Sequence, residues 1–365
     1  MIKIPVAEPL LGKEELENVI KAVNSGWISS KGEFIEKFEK EFAKYCGVKY
    51  GVSTSNGTTA LHLALTALGI KEGDEVIIPD LTFIATANAV TYCGARPVFV
   101  DSRPEYWCIN PEKIEEKITP RTRAIIPVHL YGHPCDMDVI MDIAKKYGLF
   151  VIEDAAEAHG AEYKGKKVGS FGDISCFSFY GNKIITTGEG GMCLTDNEEL
   201  AERMRILKDH GMNPNKRYWH DVIGFNYRMT NIQAAIGLAQ LQKIDKFIEK
   251  KRQIARWYEN GLKELAEKEM ITLHPEMKWA KCVYWMYSIL VEDKFGMRRD
   301  ELMKKLEENG IETRPFFYPM HTMPPYKTNE KFRVSEELAR KGINLPSAIF
   351  LDEEKVEMIT KSIRG

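Results

Sequence analysis

Phe150-Val-Ile-Glu153-Asp154-Ala-Ala-Glu157-Ala-His159-Gly160, together with Ser175-Cys-Phe-Ser178-Phe-Tyr-Gly-Asn-Lys183-Ile-Ile-Thr-Thr-Gly-Glu-Gly-Gly191, is the stretch that decides the fold. Each half begins as a short, largely apolar run without helical periodicity, the pattern of a strand covered on both faces of a sheet. Each then gives way to small and polar residues, as at a strand end. Further β-like runs lie at Tyr50–Ser53, Glu75–Ile78, Pro97–Val100, Ala124–His129 and Gly191–Leu194, with helical patterns between many of them. Such alternation implies βαβ units and an α/β fold with a mostly parallel seven-stranded sheet. Ligands of such sheets gather beyond the carboxyl ends of the strands, where the segments of Asp154 and Lys183 both point.

Upstream, Phe34, Phe38, Phe42 and Tyr45 repeat at helical spacing before a stop at Gly47, which predicts a core-facing helix. Downstream, a long helical pattern over 231–257 leads out of the sheet region. From about 260 the pattern changes to strands near Val283–Val291, a helix near Arg299–Asn309, a Pro- and aromatic-rich loop and a last helix after Asp352. The expected division is a large domain, 1–250, carrying an N-terminal helical segment, and a smaller C-terminal α+β domain, 251–365.

With 365 residues, 44% hydrophobic and 28% charged, the chain has the composition of a globular protein. Its net charge of −2 gives no global reason to expect nucleic acid or an anionic membrane as partner. No apolar run approaches the roughly 20 residues of a membrane span, and the N-terminus lacks a signal-peptide core, so a cytoplasmic location is expected. The seven cysteines are scattered without a Cys-x-x-Cys pair and read as small core residues. His129 and His133 have a spacing that suggests metal, but they cross a Tyr-Gly-His-Pro turn and lack a third ligand. No metal site is expected.

An amine and a carboxylate at two strand ends are what a pyridoxal phosphate site requires. Lys183 could hold the cofactor aldehyde as a Schiff base, and Asp154 could keep the pyridine nitrogen protonated and the ring electron-withdrawing. A neighbouring cation normally lowers a carboxylate pKa, so Asp154 is expected to stay ionised. Around Gly57, Thr58 and Thr59 a strand gives way to an Ala/Leu-rich helix, whose free N–H groups suit a phosphate, although an ordinary capped helix has the same signature. Ser178 could add a hydroxyl to that phosphate. Phe83, between a strand and a helix, could stack on a flat ring or simply pack in the core. Glu157 could meet the ring hydroxyl, and His159 reads equally well as structural.

Ser-Asn-Gly57-Thr58-Thr-Ala-Leu, Pro79-Asp-Leu-Thr-Phe83-Ile-Ala-Thr-Ala-Asn88, Glu153-Asp154-Ala-Ala-Glu157-Ala-His-Gly, Ser178-Phe-Tyr-Gly-Asn-Lys183 with Gly-Glu-Gly-Gly191, and Gly224-Phe-Asn226-Tyr-Arg228-Met together resemble the DegT/DnrJ/EryC1/StrS sugar aminotransferases. These are fold-type I pyridoxal phosphate enzymes, and the likeness spans nearly the whole chain. It implies Lys183 as the Schiff-base lysine, Asp154 as the pyridine partner, Phe83 as the stacking ring, and Gly57, Thr58 and Ser178 as phosphate contacts. Asn226 would reach the phosphate of a neighbouring subunit, making a homodimer with shared sites the smallest active unit, with a higher oligomer open. Many family members carry Gln at the position of Glu157. The implied reaction moves an amino group from L-glutamate to a nucleotide-linked 4-keto-6-deoxyhexose. A dTDP- or UDP-linked sugar, amination at C3, and a regulator that binds the cofactor only as a sensor are the alternatives. Arg228 and Arg314 are candidates for the diphosphate because guanidinium forks suit phosphate oxygens, with structural ion pairs as the other reading. Trp27, Ser29, Tyr318 and His321 are weaker candidates for the sugar pocket.

Overall fold

The computed structural model describes residues 3–365. The amphipathic helices α1 (Lys13–Asn24) and α2 (Glu33–Cys46) come first, and α2 ends at Gly47, whose left-handed φ of 76° lets the chain turn off the helix. The chain then alternates β1 (Tyr50–Thr54), α3 (Gly57–Ala67), β2 (Glu75–Pro79), α4 (Ala85–Tyr92), β3 (Arg96–Val100), β4 (Thr122–Ile125), α5 (Met137–Tyr147) and β5 (Phe150–Asp154). A small hairpin of β6 (Glu162–Tyr163) and β7 (Lys166–Lys167) precedes β8 (Ile174–Ser178), β9 (Gly191–Thr195) and α6 (Glu198–Lys208).

The seven long strands form one sheet in the order β1-β9-β8-β5-β4-β2-β3. Only β9 runs against its neighbours, pairing antiparallel with both β1 and β8. The expected strands therefore appear as elements of a mostly parallel sheet. The run over 124–129 is the least regular, since its ladder pairing stops at Ile125 and resumes as a single bridge between Val128 and Asp154. Alternate strand residues supply two apolar layers. Ile77, Val151 and Phe177 pack with α2 and α5 on one face, while Val76, Ile78, Ile152 and Cys176 pack with α3, α4 and α6 on the other. Continuous apolar runs are thus required by burial on both sides.

The helical pattern over 231–257 is two helices, α7 (Asn231–Leu241) and α8 (Ile244–Glu267), because Gln242 and Lys243 turn the chain between different packing partners. α7 lies on α1 and α2, and the Lys243 amine is drawn aside to Glu14 and Glu15. After β10 (Ile271–Thr272), β11 (Ala280–Lys281), β12 (Tyr287–Val291), α9 (Arg299–Glu308), β13 (Arg314–Pro315), α10 (Arg333–Lys341) and β14 (Gly342–Leu345), the chain ends in α11 (Glu353–Arg364). A four-stranded antiparallel sheet, β10-β12-β14-β13, shares a third apolar cluster with α8, α9 and α11. The N-terminal segment joins this unit, with Ile4 bridging Ile311 and the Val6 carbonyl accepting from the Ser347 amide. No helix among the described residues is long and apolar enough to cross a membrane.

Glu153, next to Asp154, is fully buried and holds the turn after the β6–β7 hairpin. Its oxygens accept from the amides of Gly169 (2.8 Å), Phe171 (2.7 Å) and Gly172 (2.9 Å) and lie 3.1 Å from His129 Nε2. Burial pushes this carboxyl up, but His129 and the backbone donors outweigh it and leave the pKa lowered. The stability it contributes is therefore complete above the ordinary carboxylate pKa and is lost as pH falls through the lower folded value. Glu153→Gln is expected to cost about 2–3 kcal/mol, since three amides lose a charged acceptor. Urea unfolding at neutral pH measures the loss, and the difference from wild type should shrink as the medium is acidified.

Candidate active site

β5 and β8 are adjacent and parallel, so their carboxyl ends open into one cavity of about 650 Å³. Its lining includes Gly57, Thr58, Phe83, Asp154, Glu157, Ser178, Lys183 and Arg314. Lys183 lies on the return between β8 and β9. Its Nζ is 3.8 Å from Glu157 Oε1 and 3.8 Å from the centroid of the Trp285 ring. Burial lowers the pKa of this amine, against the pull of Glu157 and Asp154, which enriches the neutral form that a nucleophile or base needs.

Asp154 ends β5. One oxygen accepts from Thr86 Oγ1 at 2.9 Å and the other from the Ala156 amide at 3.2 Å. Burial raises its pKa despite Thr86, Ala156 and Lys183. The expectation that the nearby cation would lower it is reversed here, because desolvation outweighs the attraction. Glu157 is also pushed up, to about 7, again by burial and against Lys183 and the Tyr131 amide. That amide donates to Glu157 Oε2 at 2.8 Å, leaving Oε1 as the oxygen nearer Lys183. One amine thus shares a desolvated cavity with two carboxylates.

The start of α3 also lines the cavity. Asn56 caps the helix by accepting from the Thr59 amide at 2.9 Å, while Thr59 Oγ1 accepts from the Asn56 amide at 3.1 Å. Gly57 and Thr58, the first helical residues, have amides without the carbonyl partner that later turns supply. β8 passes so close that a Cβ on Gly57 would lie 2.7 Å from Ser178 Cβ. The glycine therefore keeps open a cradle of amide and hydroxyl donors suited to a phosphate. Gly57→Ala should displace the helix start from Ser178 and raise the dissociation constant for pyridoxal phosphate roughly tenfold, as overpacking of a tight contact implies. Absorbance titration of the apo-protein would read this directly.

Phe83 is 55% exposed, so its ring is not core packing. Its centroid is 5.7 Å from that of Phe317. Arg314 lies on the cavity wall, 3.7 Å from Glu312. A flat ring with a phosphate, an aldehyde and a protonatable nitrogen fits these residues: a phosphate cradle, an amine, a carboxylate and an aromatic face border the same space.

Other expected site residues lie outside this cavity's lining. The Trp27 and Ser29 carbonyls accept from Asn231, and the Trp27 ring is exposed. Asn226 accepts from Arg228 Nε at 3.1 Å, and Arg228 pairs with Asp209 at 2.9 Å. Tyr318 is exposed. His321 is buried, its Nδ1 2.8 Å from Asp80. His159 is enclosed by Phe42, Phe177 and Phe179 with neither ring nitrogen bonded, and burial, helped by the Lys183 charge, lowers its pKa to about 3. Among the described residues, no three His, Cys, Asp or Glu side chains form a metal-binding group. His133 bonds backbone at both nitrogens, to Pro134 and Met277.

Sequence reasoning missed Thr86, Tyr131 and Trp285. Thr86 falls within the quoted Phe83 motif, three positions after the aromatic, and could have been noticed there. Tyr131 has a left-handed φ of 51° in the turn that suggested metal. Trp285 arrives from the C-terminal unit, and its Nε1 donates to the Asn182 carbonyl at 2.7 Å.

The profile of the DegT/DnrJ/EryC1/StrS aminotransferase family matches residues 9–364. GDP-perosamine synthase of Escherichia coli O157:H7 is 54% identical, covering 99% of this chain and 97% of that protein. GDP-perosamine synthase of Caulobacter vibrioides is 50% identical over the same shares. Among solved structures, DesV of S. venezuelae superimposes with a TM-score of 0.91 at 35% identity, covering 99% of this chain and 98% of that one. The chain belongs to the DegT/DnrJ/EryC1/StrS aminotransferase family, and its cofactor is pyridoxal phosphate.

Proposed function

We propose that the protein transfers an amino group from L-glutamate to C4 of a nucleotide-linked 4-keto-6-deoxyhexose, converting GDP-4-keto-6-deoxy-D-mannose to GDP-perosamine. The observation that carries the reaction type is the buried Lys183 amine in one cavity with Asp154. The substrate reading is supported by two relatives named GDP-perosamine synthase at 50% and 54% identity across nearly the full chain.

Pyridoxal phosphate supplies an aldehyde that takes up amines and a ring that draws electrons from the carbon bearing the amino group. Lys183 Nζ would hold that aldehyde until the glutamate amine displaces it; the freed amine would then take the proton from the α-carbon of glutamate and later deliver one to C4 of the sugar. Its lowered pKa favours the base form needed for the first of these transfers. Asp154 holds the ring nitrogen protonated, while Thr86 and the Ala156 amide fix its carboxylate. Gly57, Thr58 and Ser178 hold the phosphate, Phe83 covers the ring, and Glu157 meets the ring oxygen. Arg314 takes the substrate diphosphate.

Asn226 and Arg228 serve the cavity of a second copy, so the active unit is a homodimer. In support, both lie outside their own chain's cavity lining, beside a segment whose Tyr218, Trp219 and Ile223 are exposed. Trp27, Ser29 and Tyr318 face the sugar nucleotide at the same junction. Mass spectrometry of the product from GDP-4-keto-6-deoxymannose and glutamate tests the reading, with dTDP- and UDP-linked keto-sugars in parallel. Amination only of another nucleotide would change the substrate and keep the reaction type.

A further inference from the structure

β13 and the Pro- and aromatic-rich segment that follows it carry Arg314, Pro315 and Phe317 on the cavity wall, and further along the segment is tied to Asp80 at the end of β2. Asp80, fully buried, directly follows β2 and receives the His321 amide on Oδ1 at 3.0 Å and has His321 Nδ1 at 2.8 Å from Oδ2. Its own carbonyl accepts from the Met320 amide at 2.8 Å. The other imidazole nitrogen is 3.2 Å from Glu336 on α10, and the Phe332 ring covers the imidazole at 4.9 Å between centroids. A histidine with both ring nitrogens engaged by carboxylates, three residues from the exposed Tyr318 yet buried itself, does more than fill space.

What the tie controls is legible from the chain on either side of it. Thr82 and Phe83, just beyond Asp80, line the cavity, as does Phe317, four residues before His321. The Phe317 amide donates to Tyr131 Oη at 3.1 Å, giving that end of the segment a separate anchor. Asp80–His321 thus couples the turn bearing Phe83 to the segment bearing Phe317 and Arg314. The cavity floor, with Lys183, Asp154 and Thr86, is held by other bonds. A nucleotide sugar must extend past this rim, whereas glutamate is small enough to react at the floor.

We infer that His321 is a positioning residue for the larger substrate: held by Asp80 and Glu336, it sets the gap between Phe83 and the Phe317–Arg314 wall through which the sugar nucleotide is seated. The inference rests on the keto-sugar nucleotide reading above. Holoenzymes of wild type, His321→Ala, His321→Asn and Glu336→Ala should be compared in each half-reaction, using the cofactor absorbance change in single turnovers with glutamate, and KM and kcat with whichever keto-sugar nucleotide the wild type aminates. His321→Ala is expected to raise the KM of the sugar nucleotide roughly tenfold with the glutamate half-reaction within about twofold of wild type, the pattern of lost substrate positioning. His321→Asn keeps a donor near the position of Nδ1 and should recover most of the affinity, and Glu336→Ala should give a rise of roughly threefold.

An unchanged KM in folded His321→Ala overturns the inference, as does an equal loss in both half-reactions that asparagine does not repair. Should His321→Ala fail to fold, the asparagine and Glu336 variants decide, and wild-type KM values in both overturn it. A wild type that reacts with glutamate but aminates no keto-sugar nucleotide removes the substrate reading and this inference with it. An active wild type with unaffected variants removes the inference alone.

Discussion

Lys183→Ala is expected to lower turnover by about 10³–10⁴-fold, the range a positioned proton-transfer group contributes, while the protein still folds and still binds pyridoxal phosphate. The amine sits in a cavity and, among the described residues, makes one ion-pair contact, to Glu157 at 3.8 Å, besides its contact with the Trp285 ring, so removing it deletes few packing contacts. It does leave Glu157 beside Asp154 without the cation that offsets them, which should raise the Glu157 pKa further. The cradle at Gly57, Thr58 and Ser178 remains, so cofactor affinity should fall less than activity does. Borohydride treatment should fix the cofactor to residue 183 of the wild type and leave the variant unlabelled, as read by peptide mass. Steady transamination by Lys183→Ala at more than a few per cent of the wild-type rate would contradict the assigned role.

Asp154→Asn is expected to cost about 10²–10³ in kcat, comparable to removing one preorganised electrostatic contact from an active site. The substitution preserves shape: the amide oxygen can still accept from the Ala156 amide, and Thr86 Oγ1 can turn to accept in place of donating. What it removes is the charge that would hold a ring nitrogen protonated. The cost should appear in both half-reactions alike, together with a shifted absorption band of the bound cofactor. Turnover within threefold of wild type would show that the carboxylate is not the ring's partner.

Much of the sheet was readable because strands covered on both faces must be largely apolar without alternation. The runs around residues 52, 77, 98, 152, 176 and 193 have this property, and each lies in a strand. Lys183, Asp154 and Gly57 were readable for a different reason: their residue types, at strand ends and a helix start, have few uses as apt as cofactor chemistry. The break between α7 and α8 was not visible because nothing local demands it. Apolar spacing continues across Lys243, and the turn arises from packing on α1 and α2 and from Glu14 and Glu15, far away in sequence. Trp285 and Tyr131 reached the cavity through tertiary contact alone. His321 was noticed for its aromatic, Pro-rich neighbourhood, yet its burial depends on Asp80, 241 positions earlier. The direction of the Asp154 pKa failed for a related reason, since the amine was apparent from sequence and the depth of the cavity was not.

The antiparallel course of β9 has a consequence for how the family's chemistry can change. Ser178 and Gly191 face each other across the ladder, so the segment bearing residue 183 is a loop with both ends stapled into neighbouring buried strands. Its tip behaves as a socket: one codon can exchange the reactive group it presents while the frame that aims it stays in place.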